Sequence, residues 1–411
     1  MAKYVIIGNS IAACGCIEGI REIDKEGSIT VIGEENHFVY GRPLISYLLM
    51  GKTSLDKIDY RDKDYYINNK VETILGVRAT SINKEKKEVV LSNNQIIPYE
   101  KLMLATGSVP FLPKMEGIEN VKNRFSFMTL DDALSLEKVL TKDSKVLVVG
   151  AGLIGLKCVE GIKDRVDKIT VVDLADRVLP SILDSRGSEY IKTYLESLGV
   201  EFILSDSVAK FDKNTAILKS EKKVDFDILV TAVGVRPNVQ LLSDIGGKVE
   251  KGIVIDNCSR TSIKDIYAGG DNCVCHDISC DTDRIVAILP NAYFLGRAAG
   301  RTMAGVESSF DQATPMNSIG FFNLHVVTAG SYIGDKDVVC DDGKNYKVLF
   351  TKDNVLKGFI MIGDISRAGI YTSLVRSKAN LKELDYSLIR VAPQLMAFKK
   401  EKREYILGRS H

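Results

Sequence analysis

The chain has 411 residues, 45% of them apolar, more than one ordinary core needs, so two or three globular domains are expected. Lysine plus arginine (55) nearly balances aspartate plus glutamate (54), which leaves no field strong enough to argue for nucleic acid or an anionic membrane as partner. Met1 leads into the apolar run Tyr4-Val5-Ile6-Ile7 with no leader-like pattern, no eighteen apolar residues run together, and eight irregularly spaced cysteines read as reduced thiols, so the expected compartment is the cytoplasm.

The first unit is a βαβ start: that strand, the turn Gly8-Asn9-Ser10-Ile11-Ala12-Ala13, a helix-length stretch, then Ser28-Ile29-Thr30-Val31-Ile32 and Gly33-Glu34. Ser10 replaces the second glycine of a G-x-G-x-x-G fingerprint and Ala13 the third. A serine β-carbon hinders close approach, but its hydroxyl can donate to a phosphate. Gly8, Ser10 and Ala13 are thus candidate phosphate-turn residues. Glu34, 26 residues after Gly8, is a candidate acceptor for ribose hydroxyls.

Further along come Tyr40-Gly41-Arg42-Pro43-Leu44-Ile45-Ser46-Tyr47 and Leu104-Ala105-Thr106-Gly107-Ser108-Val109-Pro110. The first pattern then repeats in regular form: Lys145-Val146-Leu147-Val148-Val149, Gly150-Ala151-Gly152-Leu153-Ile154-Gly155, then Ile169-Thr170-Val171-Val172-Asp173. Here Gly150 permits the tight turn, Gly152 admits a pyrophosphate, Ile154 lies in the opening helix, and Gly155 lets helix pack on strand. The bare helix end supplies amide donors to phosphate. Asp173, 23 residues after Gly150, is placed to accept ribose hydroxyls, and its charge would repel a 2′-phosphate, favouring NADH over NADPH.

Next stand Thr231-Ala232-Val233-Gly234-Val235-Arg236-Pro237-Asn238, Asp265-Ile266-Tyr267-Ala268-Gly269-Gly270-Asp271, and Pro290-Asn291-Ala292 at the start of a helix expected over 292–304. A strand-rich tail is expected over 316–373, and the mixed charges of 398–404 read as a solvated helix or a frayed end. Cys273, Cys275, His276 and Cys280 offer ligands for zinc or an iron–sulfur centre, but in no recognised metal spacing, and are read as ordinary loop thiols. His37 and His325 read as loop or strand residues.

Two dinucleotide sites in one chain are most useful if one dinucleotide passes a hydride to the other, and flavin and nicotinamide are the natural pair. Together these motifs resemble the FAD-dependent pyridine nucleotide-disulfide oxidoreductase superfamily over nearly the whole chain. The resemblance implies an α/β fold with two Rossmann-like, glutathione-reductase-like domains and an α+β C-terminal interface domain that often contributes to dimers. FAD would be held by residues 1–108 and 239–312, NADH by 109–238, and 313–411 would form the interface domain.

The resemblance also implies roles. Ala105, Thr106 and Gly107 mark the crossover from the FAD to the NAD domain and Gly234 the return. Asp271 would meet the ribityl chain, while Asn291 and Ala292 open a helix aimed at the flavin pyrimidine edge, where its positive end favours negative charge. Arg42 and Pro43 cover the FAD pyrophosphate and flavin, with Arg42 neutralising phosphate charge.

Disulfide-reducing members carry a Cys-x4-Cys pair near this region, and NADH peroxidases and oxidases a single redox cysteine; this chain has neither. Cys14 and Cys16, two residues apart on a helix, point to different faces. The resemblance is therefore to the NADH:rubredoxin and ferredoxin reductase branch. Its partner would be a small iron-containing electron-transfer protein or an iron–sulfur subunit, a reading to which Phe321-Phe322-Asn323-Leu324 and the segment 356–364 of the tail also belong. An NADH oxidase or small-molecule reductase, and a non-turnover flavoprotein subunit, are the alternatives. Many relatives pair a lysine at the Tyr47 position with a glutamate two residues past the third NAD-motif glycine, near flavin N5. Here that second position is Lys157, so Lys157 and Tyr47 are the candidate catalytic residues.

Overall fold

The computed structural model describes residues 2–394 and Ala397; the charged segment 398–404 lies outside them. The chain divides into two compact units. The larger takes the residues up to Ser181, Ile191–Cys275 and Arg284–Asp311, and the smaller takes Ile182–Tyr190, His276–Asp283 and the chain from Gln312 onward.

The larger unit contains two Rossmann-like layers. In the first, Ala2–Ile7 pairs in parallel with Ile29–Gly33 on one side and Ile96–Leu104 on the other, and Val71–Leu75 and Ile266–Ala268 extend the parallel sheet. The Val/Ile runs of the inner strands are buried along almost their whole length, as a parallel sheet covered on both faces requires. Helix α1 (Ile11–Ile23) follows the first strand, and two short helices, α2 (Leu44–Leu49) and α3 (Tyr65–Asn68), lie in the excursion before the sheet resumes.

The second layer begins with α4 (Leu130–Glu137) and continues through the strand Lys145–Val149 into α5 (Leu153–Ile162). Its five parallel strands run in the order Val200–Ile203, Lys168–Val172, Lys145–Val149, Ile228–Thr231 and Arg124–Phe125. Helix α6 (Ser185–Ser197) precedes the outermost strand, and α7 (Gln240–Ser243) begins the return to the first layer. That return ends in α8 (Leu289–Met303).

Helix α8 starts three residues earlier than the motif at Pro290-Asn291-Ala292 had indicated. Pro290 sits in the first turn, where a missing N–H costs nothing, so the helix runs through the proline and not from beyond it.

Helices α1 and α8 touch backbone to backbone. A β-carbon on Gly15 or Gly19 would stand 2.1 or 2.4 Å from the carbonyl oxygens of Tyr293 and Arg297. One on Gly296 or Gly300 would stand 2.0 or 2.1 Å from those of Ala12 and Cys16. Each helix thus presents two glycines one turn apart to its neighbour, and the crossing is as close as two helices allow. The rim is tied by Tyr293 Oη donating to Glu18 (2.6 Å) and Arg297 Nε donating to Glu22 (2.6 Å), with Arg301 on the same carboxylate.

In the smaller unit, five antiparallel strands run in the order Met316–Phe321, Leu324–Gly330, Val355–Ile362, Tyr346–Lys352 and Asp335–Asp341. The tail does not stay extended to residue 373, as its composition had indicated. From Ala368 to Ser377 it forms α9, because Tyr371, Leu374 and Val375 recur at helical spacing and bury against the sheet, with Tyr371 5.5 Å from the Phe359 ring. Among the described residues no helix is long and apolar enough to cross a membrane.

Substitution of Gly296 by alanine should force α1 and α8 apart, costing about 3 kcal/mol or more in denaturant unfolding. Gly369→Ala, where a β-carbon meets open space on α9, should be neutral or stabilise by about 0.5 kcal/mol. Equal stability of the two variants would contradict this account of the helix crossing.

Candidate functional site

Both glycine turns are built in the same way. Gly8 has φ +112° and Gly150 φ +118°, and a β-carbon on either would lie 2.1 or 2.2 Å from a carbonyl oxygen, of Ala105 and Ala232 respectively. Only glycine satisfies both demands. Gly155 packs so closely that its β-carbon would meet the Gly150 oxygen at 2.0 Å, whereas a β-carbon on Gly152 would meet nothing within 4 Å. Gly152 therefore faces open space at the mouth of the turn. Ala13, in the third-glycine position of the first turn, is fully buried, and Ile154 is half-buried in the first turn of α5.

The helices that follow these turns are left uncapped. Ser10 and Gly152 occupy the N-cap positions of α1 and α5, neither makes a side-chain capping bond, and neither helix has an acid in its first turn. Helix α4 shows the contrast: Thr129 and Asp132 form a reciprocal capping box, with Asp131 alongside. Both glycine turns thus end in a helix N-terminus with bare N–H donors and a positive end, which is what a pyrophosphate needs. Helix α8 is a third such end, with no side-chain cap on Ile288 and no acid in its first turn; Asn291 and Ala292 are buried there, and Asn291 Nδ2 lies 3.4 Å from the Val286 oxygen.

At the strand ends the two acids differ. Glu34 is exposed, one residue past the end of Ile29–Gly33. Asp173 is half-buried, and its two carboxylate oxygens already accept N–H bonds from Ala151 (2.5 Å) and Ala175 (2.7 Å). It braces the glycine turn from behind, and a carboxylate has lone pairs left for further donors.

The two crossover motifs pair with each other. Ser108–Pro110 and Val235–Pro237 form an antiparallel ribbon, with Gly107 at φ +59° and Gly234 at φ +119° beside it. Thr106 Oγ1 donates to the Asn238 oxygen at 2.7 Å, and fully buried Asn272 donates to the Leu104 oxygen (3.0 Å) and to Thr106 Oγ1 (2.9 Å). Ala105 is buried against Gly8. Asn272 escaped sequence reasoning, since its partners lie far away in the chain.

Next to Asn272, Asp271 follows Gly270 (φ +102°) and is half-buried. Among the described residues its carboxylate accepts no hydrogen bond. Burial pushes its carboxyl above the ordinary range while the nearby Arg42 guanidinium pulls it down. A desolvated acceptor with no protein donor fits the hydroxyls of a ribityl chain.

Arg42 itself is more constrained than a free phosphate clamp. It pairs with Glu35 and donates to the Met128 oxygen at 2.8 Å, so two of its five donors are spent within the protein. Tyr40 completes the knot, donating to Glu35 at 2.6 Å and accepting from the Leu130 N–H at 2.9 Å. Glu35 was not singled out by sequence reasoning, which could not separate it from adjacent Glu34. Pro43, which follows Arg42, is exposed at the N-cap of α2.

Lys157 and Tyr47 do meet. The ammonium lies 4.6 Å from the centre of the Tyr47 ring, and it pairs with buried Glu160, one turn along α5. The helices approach closely because Gly161 sits where a β-carbon would be 3.2 Å from the Ser46 oxygen of α2. Glu160 is a further residue that the motifs did not flag, although its i+3 spacing from Lys157 could have suggested a pair.

The cysteines stay apart from this constellation. Cys14 is buried and its thiol pushed up to about 12; Cys16 is buried and also raised, with its sulfur 3.8 Å from Met303 on α8. Cys273 and Cys275 alternate inward along the strand Cys273–Asp277, and burial drives the Cys273 thiol well up. Among the described residues no group of three or more histidine, cysteine or acidic side chains is arranged to hold a metal. His276 pairs with Asp281 and Asp283, and Cys280 lies 3.0 Å from Thr282. His37 pairs with Asp131 at 2.8 Å in a loop, and His325 lies on the strand Leu324–Gly330.

A family model for pyridine nucleotide-disulphide oxidoreductases matches residues 2–296. The chain is 28% identical over 394 residues, 93% of each sequence, to the epsilon subunit of the NADH-dependent phenylglyoxylate dehydrogenase of Aromatoleum evansii. It is 26% identical over 367 residues, 89% of this chain and 92% of the relative, to an NADH-rubredoxin oxidoreductase of Clostridium acetobutylicum. Against two longer relatives it spans 48% of their length. Among solved structures, a putidaredoxin reductase in covalent complex with putidaredoxin shares the fold with a TM-score of 0.86 at 22% identity, covering 99% of this chain and 98% of that one. The bare helix ends, the open face of Gly152 and the unspent Asp271 carboxylate fit two bound dinucleotides. With the match over residues 2–296, they place the chain in the pyridine nucleotide-disulphide oxidoreductase family, as an NAD(P)H-dependent flavoprotein oxidoreductase whose cofactors are FAD and NADH.

Proposed function

We propose that the protein takes reducing equivalents from NADH and delivers them through its flavin to an iron-containing protein, either a small rubredoxin- or ferredoxin-type carrier or an iron–sulfur subunit of a larger complex. One observation carries this reading: the segment Tyr40–Tyr47, the region in which the resemblance would place a redox thiol, contains no cysteine. With no internal thiol to reduce there, electrons leave for a separate centre. The match over 93% of both sequences to the epsilon subunit of an NADH-dependent dehydrogenase supports an acceptor carried on a partner subunit.

In this reading residues 1–108 and 239–312 hold FAD and residues 109–238 hold NADH. Bound FAD supplies the two-electron acceptor that can release electrons singly. The chain's own contribution is binding and orientation. Gly8, Ser10 and Ala13 form the first phosphate turn, with the Ser10 hydroxyl and the bare end of α1 as donors and Glu34 on the ribose. Arg42 supplies positive charge from the side, with Pro43 beside it. Ala105, Thr106, Gly107 and Gly234 keep the crossover backbone close to both sites. Asp271 accepts from the ribityl hydroxyls, and the α8 end at Asn291 and Ala292 favours negative charge on the ring. Gly150, Gly152, Ile154 and Gly155 form the second turn, with Asp173 behind it rejecting a 2′-phosphate. Lys157, buttressed by Glu160 and Tyr47, holds a cation at the junction of the two sites.

The reading is tested by anaerobic titration of the purified protein with NADH and then NADPH, followed by rubredoxin, ferredoxin and oxygen in turn. Bleaching by NADH at lower concentration than NADPH, with fast reoxidation only by an iron protein, is expected. Fast reoxidation by oxygen alone would overturn the acceptor assignment. Lys157→Ala should slow bleaching by NADH about three- to tenfold, and an unchanged rate would remove Lys157 from the site.

Asp271→Asn separates binding from stability. Because burial raises the Asp271 carboxyl, the folded flavin-free protein holds this proton more tightly than the unfolded chain does. The stability the group contributes is therefore present at low pH and lost as pH rises through the raised folded value. The variant should lack that loss in thermal unfolding of the flavin-free protein, yet bind FAD about tenfold more weakly or worse by fluorescence titration. FAD affinity equal to that of the parent would exclude Asp271 from the ribityl chain.

A further inference from the structure

Between the strand Lys168–Val172 and residue 181 the chain folds back onto the second glycine turn. Asp173 accepts the Ala151 N–H at 2.5 Å, and six residues later the Leu179 N–H donates to the Ala151 oxygen at 3.0 Å. The loop between them is pinned from the far side as well, with the Ser205 N–H on the Ala175 oxygen at 2.9 Å. To make this return Leu179 adopts φ +50°, a left-handed conformation that a bulky residue avoids, while its side chain is fully buried. A strained, over-determined loop over a ligand turn is where function is to be sought.

That loop carries Arg177, whose Nε is the only buried side-chain nitrogen or oxygen among the described residues without a hydrogen-bond partner. Its Nη1 reaches Asp176 at 2.9 Å, but the Asp176 side chain is 72% exposed, so the pair is screened and leaves the guanidinium largely uncompensated. Native proteins rarely leave a buried donor unmet. Here the unmet donor belongs to a permanent cation, in the loop tied to Ala151, the residue immediately before Gly152 and the bare end of α5.

We propose that Arg177 grips a phosphate of the nicotinamide dinucleotide, with Nε as the donor completed by the ligand. The proposal rests on reading the Gly150 turn as the NADH site. Arg177 and Asp173, four residues apart on one loop, then divide the work: the cation draws in the phosphates while the carboxylate behind the turn selects against a further phosphate on the ribose.

The test uses the flavin-loaded protein and isothermal titration with ADP-ribose, which carries the pyrophosphate, and with adenosine 2′-monophosphate, which carries only the ribose phosphate. R177A should bind ADP-ribose roughly ten- to hundredfold more weakly while keeping the parent's flavin content and a melting temperature no lower than the parent's, and R177K should recover part of the loss. A loss confined to ADP-ribose assigns the contact to the pyrophosphate. A comparable loss with adenosine 2′-monophosphate would place Arg177 on a ribose phosphate that NADH lacks and would overturn the proposal. R177A binding both compounds like the parent would overturn the proposal. A Gly152→Val variant separates the two claims: if it loses ADP-ribose, the site assignment stands and R177A decides alone, and if it binds normally, the site assignment and the proposal fall together.

Discussion

Backbone contact between α1 and α8 is the constraint on which the flavin half of the molecule depends. The first helix begins at the Gly8 turn and the second just before Asn291, so their crossing fixes how far apart two positive helix ends stand. Four glycines, Gly15, Gly19, Gly296 and Gly300, make that crossing close, and the carbonyl oxygens they abut leave no room for a methyl group. The positions of Gly270 and Asp271 follow, because a β-carbon on Gly270 would already lie 3.2 Å from the Ala12 side chain. A shift along this seam would move the bare ends of α1 and α8 and the Asp271 carboxylate together.

Across the larger unit the electrostatic pattern is one of interactions deliberately left open. At α4 the N-terminus is capped and the first turn acidic, whereas at both glycine turns the helix N-cap makes no side-chain bond and the first turn carries no acid. Among the described residues the Asp271 carboxylate accepts no hydrogen bond, and Nε of Arg177 has no acceptor. Each such group destabilises the protein alone and is relieved by ligand, which couples cofactor binding to folding. The charges that are paired, Arg42 with Glu35 and Lys157 with Glu160, are held in position by neighbouring elements of the fold.

Much of this was legible in the sequence. The regular Gly150 turn, its following strand and Asp173 could be read directly because the relevant physics is local: a turn, a helix start and a strand end within one βαβ unit. The irregular Gly8 turn was legible only through its partners. What could not be read depends on distant residues. The glycines of α1 mean nothing until those of α8 lie across them, Asn272 is defined by Leu104 and Thr106, and Glu35 by Arg42 and Tyr40. The start of α8 was misplaced because proline was taken as a boundary when it is tolerated in a first turn. The first part of α9 fell inside the strand-rich tail expected over 316–373, and burial of one face at helical spacing makes it a helix instead.

The account stands on two dinucleotide turns serving one transfer, and the most direct measurement is single-turnover mixing of the flavin-loaded protein with NADH under anaerobic conditions, using NADH carrying protium or deuterium at the transferred position of the nicotinamide. Convergence of the two turns predicts that saturating NADH bleaches the flavin in a single phase that is slower with deuterium. Absence of bleaching, or the same rate with both isotopes and no dependence on the Gly150 turn, would contradict it.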